Sequence, residues 1–129
     1  MEQKTILIVE DDESLRDIYS MFLELENYKV LTAHNGKVAL DLLQSLPRTL
    51  LPDCIILDLM MPVMDGNGLL KAMGSNPVLF KIPVIICSAF GEFEVSKQIF
   101  QIINKPLKLD DLKENIERCT NHNQISLHA

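Results

Sequence analysis

The sequence predicts a single α/β domain built on a parallel sheet. Short β-branched runs alternate with longer stretches of helical period, the pattern that puts helices between parallel strands. Three of the runs, beginning at Thr5, Cys54 and Val84, are almost uninterrupted apolar, as strands covered by helices on both faces require. A chain of 129 residues is also the size of one domain, burying about two thirds of the unfolded surface in one core.

The elements follow in order. The first strand spans Thr5 to Val9, and Asp12 stands where it can N-cap a helix whose stripe is Leu15, Ile18, Tyr19, Phe22 and Leu25 or Leu23. Lys29 to Ala33 is more polar and suits an edge strand. A second helix runs from about Lys37 to Leu46 and is ended by Pro47. Cys54 to Leu57 is the third strand, and a third helix follows from Gly66 to about Met73, before the turn-forming Gly74-Ser75-Asn76-Pro77. Val84 to Cys87 is the fourth strand and Gln101 to Asn104 a weaker fifth. Leu109, Leu112, Ile116 and Cys119 stripe a last helix whose first turn carries Asp110 and Asp111, favourably placed for the helix dipole. Residues 1–120 are thus read as the domain and 121–129 as a polar, aperiodic tail expected to fray, with no repeat and no output domain.

Composition narrows the function classes. Hydrophobic residues make up 47% and charged residues 23%, and no run approaches the roughly 20 apolar residues of a membrane span. The acidic start is unlike a secretory signal, so the expected location is the cytoplasm. A net charge of -6 without a basic cluster opposes nucleic-acid binding. Cys54, Cys87 and Cys119 are odd in number and lack C-x-x-C spacing, which favours reduced thiols, with Cys87 a small buried hydrophobe.

In a parallel sheet all strand C-termini share one edge, where open α/β folds bind ligands. That edge receives Glu10-Asp11-Asp12 after the first strand, Asp58 after the third, Ser88 after the fourth and Lys105-Pro106 after the fifth. Crowded carboxylates repel unless a cation lies among them, and hard oxygen ligands without His or Cys suit Mg2+. Lys105 and Ser88 then offer an ammonium and a hydroxyl to a tetrahedral anion, with Asp58 as nucleophile. Singly, each feature has an ordinary explanation: acids at a helix start, a capping Asp, a loop hydroxyl, a surface lysine. Met60, Met61 and Met64 read as gap-filling apolar contacts, and His34, His122 and His128 as surface residues.

Four segments together resemble the receiver domains of bacterial two-component response regulators, in a stand-alone form like the chemotaxis regulators. They are Ile6-Leu7-Ile8-Val9-Glu10-Asp11-Asp12, Ile56-Leu57-Asp58 through Asp65-Gly66, Val84-Ile85-Ile86-Cys87-Ser88-Ala89, and Asn104-Lys105-Pro106-Leu107. The resemblance covers Ile6 to about Cys119. It implies a flavodoxin-like, doubly wound five-stranded sheet in the order 2-1-3-4-5 with helices on both faces. It further implies that Asp58 accepts a phosphoryl group from a histidine kinase or a histidine phosphotransfer protein, and that signalling follows through altered binding to a downstream protein. By the same resemblance Asp11, Asp58 and the Met60 backbone carbonyl would ligate Mg2+, with Glu10 in its outer shell. Ser88, Ala89 and Lys105 would bind the phosphoryl group, Lys105-Pro106 would be cis, and Met60 and Phe90 would set the hydrolysis rate. Such a protein is a phosphoacceptor rather than an enzyme.

The chain also departs from the family pattern. The stretch from Ser88 to Lys105 is short, so the fourth helix is expected to be short, and Gln98-Ile99 replaces a usual Gly-Ala pair. Ile102 occupies the switch position that usually holds Tyr or Phe and works together with Ser88, and the loop Ser45 to Asp53 is slightly long. A phosphorylation-independent interaction module on the same fold is the alternative these departures motivate. A dehalogenase-type phosphatase would want a second acid where Met60 stands, and no glycine-rich nucleotide loop is complete.

Overall fold

The computed structural model describes residues 3–58, 64–88, 98–104 and 108–128, with backbone only at 88, 104 and 122–128. Five parallel strands, β1 (Thr5–Val9), β2 (Lys29–Ala33), β3 (Cys54–Asp58), β4 (Val84–Ser88) and β5 (Ile99–Asn104), form one sheet in the order β2-β1-β3-β4-β5. Helices α1 (Glu13–Leu25), α2 (Gly36–Ser45), α3 (Gly66–Gly74) and α4 (Leu109–His128) complete the order expected from the sequence. Two 3-10 turns, Arg48–Leu50 and Leu79–Lys81, were not anticipated. The short fourth helix expected between Ser88 and Lys105 would fall on 89–97, outside the described residues.

The period of two along each strand sorts side chains onto two faces. Leu7, Val9, Ile55 and Leu57 pack against α2 and α3 through Ala39, Leu43, Leu69 and Met73. Ile6, Ile8, Cys54 and Ile56 pack against α1 and α4 through Tyr19, Leu23, Leu112 and Ile116. All five β3 residues are buried, whereas in the edge strand β2 only Ala33 is buried and Lys29 and Thr32 are exposed, which explains its polar sequence.

Three of the four described helices start on a capping side chain. Asp12, Asn35 and Asp65 cap α1, α2 and α3, accepting from the amides of Leu15, Val38 and Gly68 at 3.1, 2.8 and 2.8 Å. α2 stops one residue before the expected Leu46, because the residue preceding Pro47 takes an extended conformation, with ψ 139°.

Two expectations need correction. On α1 the inward residue is Leu23, fully buried, while Leu25 is 81% exposed and Ile18 50% exposed. The helix ends in a Schellman turn, with Asn27 left-handed at φ 70°, the Tyr28 amide bonded to Leu23 O and the Asn27 amide to Glu24 O. That turn draws Tyr28 and Leu23 together against the core and leaves Leu25 outside. At the other end of the chain, α4 continues to His128 rather than fraying after Thr120. Residues 121–128 contain neither Gly nor Pro, so nothing interrupts the backbone ladder. Among the described residues no helix is long and apolar enough to cross a membrane.

Candidate functional site at the carboxyl edge of the sheet

Strand register decides which acids meet. Val9 pairs with Leu57, so Glu10 and Asp58, each one residue further on, stand at the same level of neighbouring strands. The Glu10 amide donates to Ala33 O at 3.1 Å, which carries β1's ladder one residue past the strand and holds Glu10 in line. Asp11 follows before Asp12 caps α1. One carboxylate oxygen from each of Glu10, Asp11 and Asp58 lies within 4.8 Å of the others, with Glu10 and Asp58 buried and Asp11 exposed.

A basic residue organises this turn from below. Arg16 Nη1 donates to the carbonyl oxygens of Glu10 at 2.9 Å and Asp11 at 3.4 Å. The guanidinium thus fixes the backbone that presents the two acids. Arg16 is half-buried, and nothing in the sequence of a first-turn arginine distinguishes a backbone clamp from a surface charge. Beside Glu10 and Asp58 a cavity of about 10 Å3 touches Tyr19 and Cys87, enough for about one water-sized group.

The donor set fits a hard divalent cation. Three carboxylate oxygens converge and, among the described residues, no His or Cys joins the group, which matches Mg2+ chemistry better than that of a softer metal. β4 ends at Ser88 and β5 at Asn104, which pair with each other, and Cys87 pairs with Asp58. The backbone therefore brings Ser88 to the same edge as Asp58. Met60, Ala89, Phe90, Lys105 and the Lys105-Pro106 bond lie outside the described residues. Ile102, on the edge strand β5, pairs with Ile86 of β4 and is 38% exposed.

The response regulator receiver domain model matches residues 6–117. The chain belongs to the response regulator receiver domain family. It is 31% identical over 123 residues to sporulation initiation phosphotransferase F of Bacillus subtilis, covering 92% of this chain and 94% of that one. It is 33% identical over 119 residues to regulatory protein AtoC of Escherichia coli, covering 88% of this chain. This receiver domain spans only 24% of AtoC and 59% of transcriptional regulatory protein CrdR of Helicobacter pylori, so those proteins extend well beyond the shared part. A CheY-like response regulator receiver domain protein from Methanospirillum hungatei superposes with a TM-score of 0.82 at 26% identity, over 97% of this chain and 99% of that one. The fold is therefore CheY-like and flavodoxin-like, as the sequence order predicts.

Proposed function

We propose that this receiver takes a phosphoryl group onto Asp58 from the phosphohistidine of a histidine kinase or histidine phosphotransfer protein. The observation that carries the reading is the meeting of Glu10, Asp11 and Asp58 oxygens within 4.8 Å at the end of a fully buried strand. An Asp58 oxygen attacks phosphorus, the P–N bond to the donor imidazole breaks, and the imidazole leaves with its electron pair and is protonated by solvent. Asp58 is then an acyl phosphate, later hydrolysed by water. β3 holds the nucleophile rigidly for in-line attack. Asp11, Asp58 and the Met60 carbonyl would hold Mg2+, with Glu10 in the outer shell. When bound, the ion neutralises the crowded carboxylates and the phosphoryl oxygens.

Ser88 and Ala89 at the end of β4, and Lys105 after β5, would bind the transferred group. The protein acts as a cytoplasmic signalling element rather than a metabolic enzyme, and its state is read by a downstream protein. Incubation with acetyl phosphate and Mg2+ should add one phosphoryl mass to the wild type, and none to Asp58→Asn or to wild type in excess chelator. A folded wild type that takes up no phosphoryl group would sink this reading and favour a phosphorylation-independent interaction module.

A further inference from the structure

We infer that Gly36 is a positioning residue for the chain that follows Asp58, an inference that rests on the phosphoacceptor reading above. Gly36 is the first residue of α2, and its amide is one of those that a helix start leaves without an internal partner. It donates to the carbonyl oxygen of Met64 at 3.0 Å. Met64 precedes Asp65, the residue that caps α3 through the Gly68 amide. The segment leaving Asp58 is thus tied at its far end to the starts of two helices.

The approach of α2 to Met64 requires the absence of a side chain at position 36. A Cβ there would lie 2.4 Å from Met64 O, 2.9 Å from Met64 Cγ and 3.1 Å from the Met64 carbonyl carbon. The tightest of these obstacles is backbone, so rotating the methionine side chain cannot relieve it. On its other side, Met64 Cγ lies 3.1 Å from where a Gly68 Cβ would stand, so Met64 fills the room that glycine leaves at position 68 as well. A methyl group at position 36 must therefore break the Gly36–Met64 hydrogen bond and shift the anchor of the segment that, by family resemblance, includes the ligating Met60 carbonyl. Gly36 touches no phosphoryl group or metal. Its effect is to set where that segment ends.

Gly36→Ala tests this, with Gly74→Ala as the matched control, because among the described residues a Cβ at Gly74 meets only Gln98 Oε1, at an ordinary 3.7 Å. Mg2+ affinity, read from amide NMR titration, should fall by about tenfold in Gly36→Ala and stay unchanged in Gly74→Ala. The metal-free Gly36→Ala spectrum should show displaced Met64 and Asp65 amides. In the wild type, saturation with Mg2+ should shift the Gly36 amide and slow its hydrogen exchange. A wild type that binds Mg2+ while its Gly36 amide does not respond overturns the inference even if the variant fails to fold, and so does a folded Gly36→Ala of wild-type affinity. A wild type that binds no Mg2+ overturns the metal reading, and this inference with it.

Discussion

The Sγ atoms of Cys54 and Cys119 lie 3.5 Å apart, joining the first residue of β3 to α4 inside the core. The hydrogen bond that the two thiols share, reinforced by complete burial, pushes the Cys54 thiol well above its ordinary value of 9.0. An unfolded cysteine ionises near that ordinary value while Cys54 still holds its proton. This contribution to stability is therefore complete below about pH 9 and is lost progressively as pH rises toward the folded value. Tyr28, raised from 10.0 by burial and then by Glu117, adds a further loss that begins only above about pH 10. Thermal melts should hold steady from pH 7 to 8.5 and then decline, less steeply in Cys54→Ala. At pH 8 a thiol reagent should modify the native protein only as fast as it unfolds, and labelling within seconds would contradict the buried pair.

Leu23 and Leu25, two residues apart on α1, should separate in a denaturant titration. Leu23 is 0% exposed and Leu25 81% exposed. Leu23→Ala leaves a hole between α1 and the sheet and should cost about 2–5 kcal/mol. Leu25→Ala should stay within about 0.5 kcal/mol of the wild type. Equal losses would show that the end of α1 turns differently.

The two acids after β1 should also part company. On the proposed reading, removing Asp11, which is exposed, takes away a direct ligand, whereas removing Glu10, which is buried, takes away an outer-shell contact. Asp11→Ala should weaken Mg2+ binding by about 100-fold and Glu10→Ala by about tenfold, as read by titration. The reverse ranking would exchange their roles.

Dephosphorylation should be slow. On the proposed reading Met60 and Phe90 flank the path of the attacking water, and their apolar side chains would leave hydrolysis without a group to orient it. The double variant Met60→Asn and Phe90→Glu should shorten the phosphoprotein's half-life without changing uptake. Equal decay of both proteins at saturating Mg2+, after removal of donor, would refute the assignment.

What could be read in advance was what repeats or punctuates. The bounds of β1 and β2, the Asp12 cap and the inward stripe of α4 all follow from apolar period and capping chemistry, which are local. The choice between Leu23 and Leu25 needed the Asn27 turn, because both fit a helical stripe within the spread of one face. Asp58 and Glu10 were legible as strand ends, but their common level is a property of register. Arg16 on the Glu10 carbonyl, Gly36 on Met64 and Cys54 against Cys119 were out of reach for a related reason. Each joins groups by a single contact that leaves no periodic trace in either segment.

The order of strands in the sheet bears on when the acidic site comes into being. Pairing Thr5 with Lys29 closes a loop half as long as pairing Ile6 with Cys54, and each doubling of loop length costs about 0.6 kcal/mol of chain entropy. The β1–β2 unit can therefore assemble first, already carrying Glu10 and Asp11. Asp58 arrives only when β3 closes the longer loop against β1. A folding intermediate with β1 and β2 paired but β3 undocked would be structured yet unable to assemble the three-carboxylate site. Recovery of Mg2+ binding during refolding would then lag behind the earliest recovery of secondary structure.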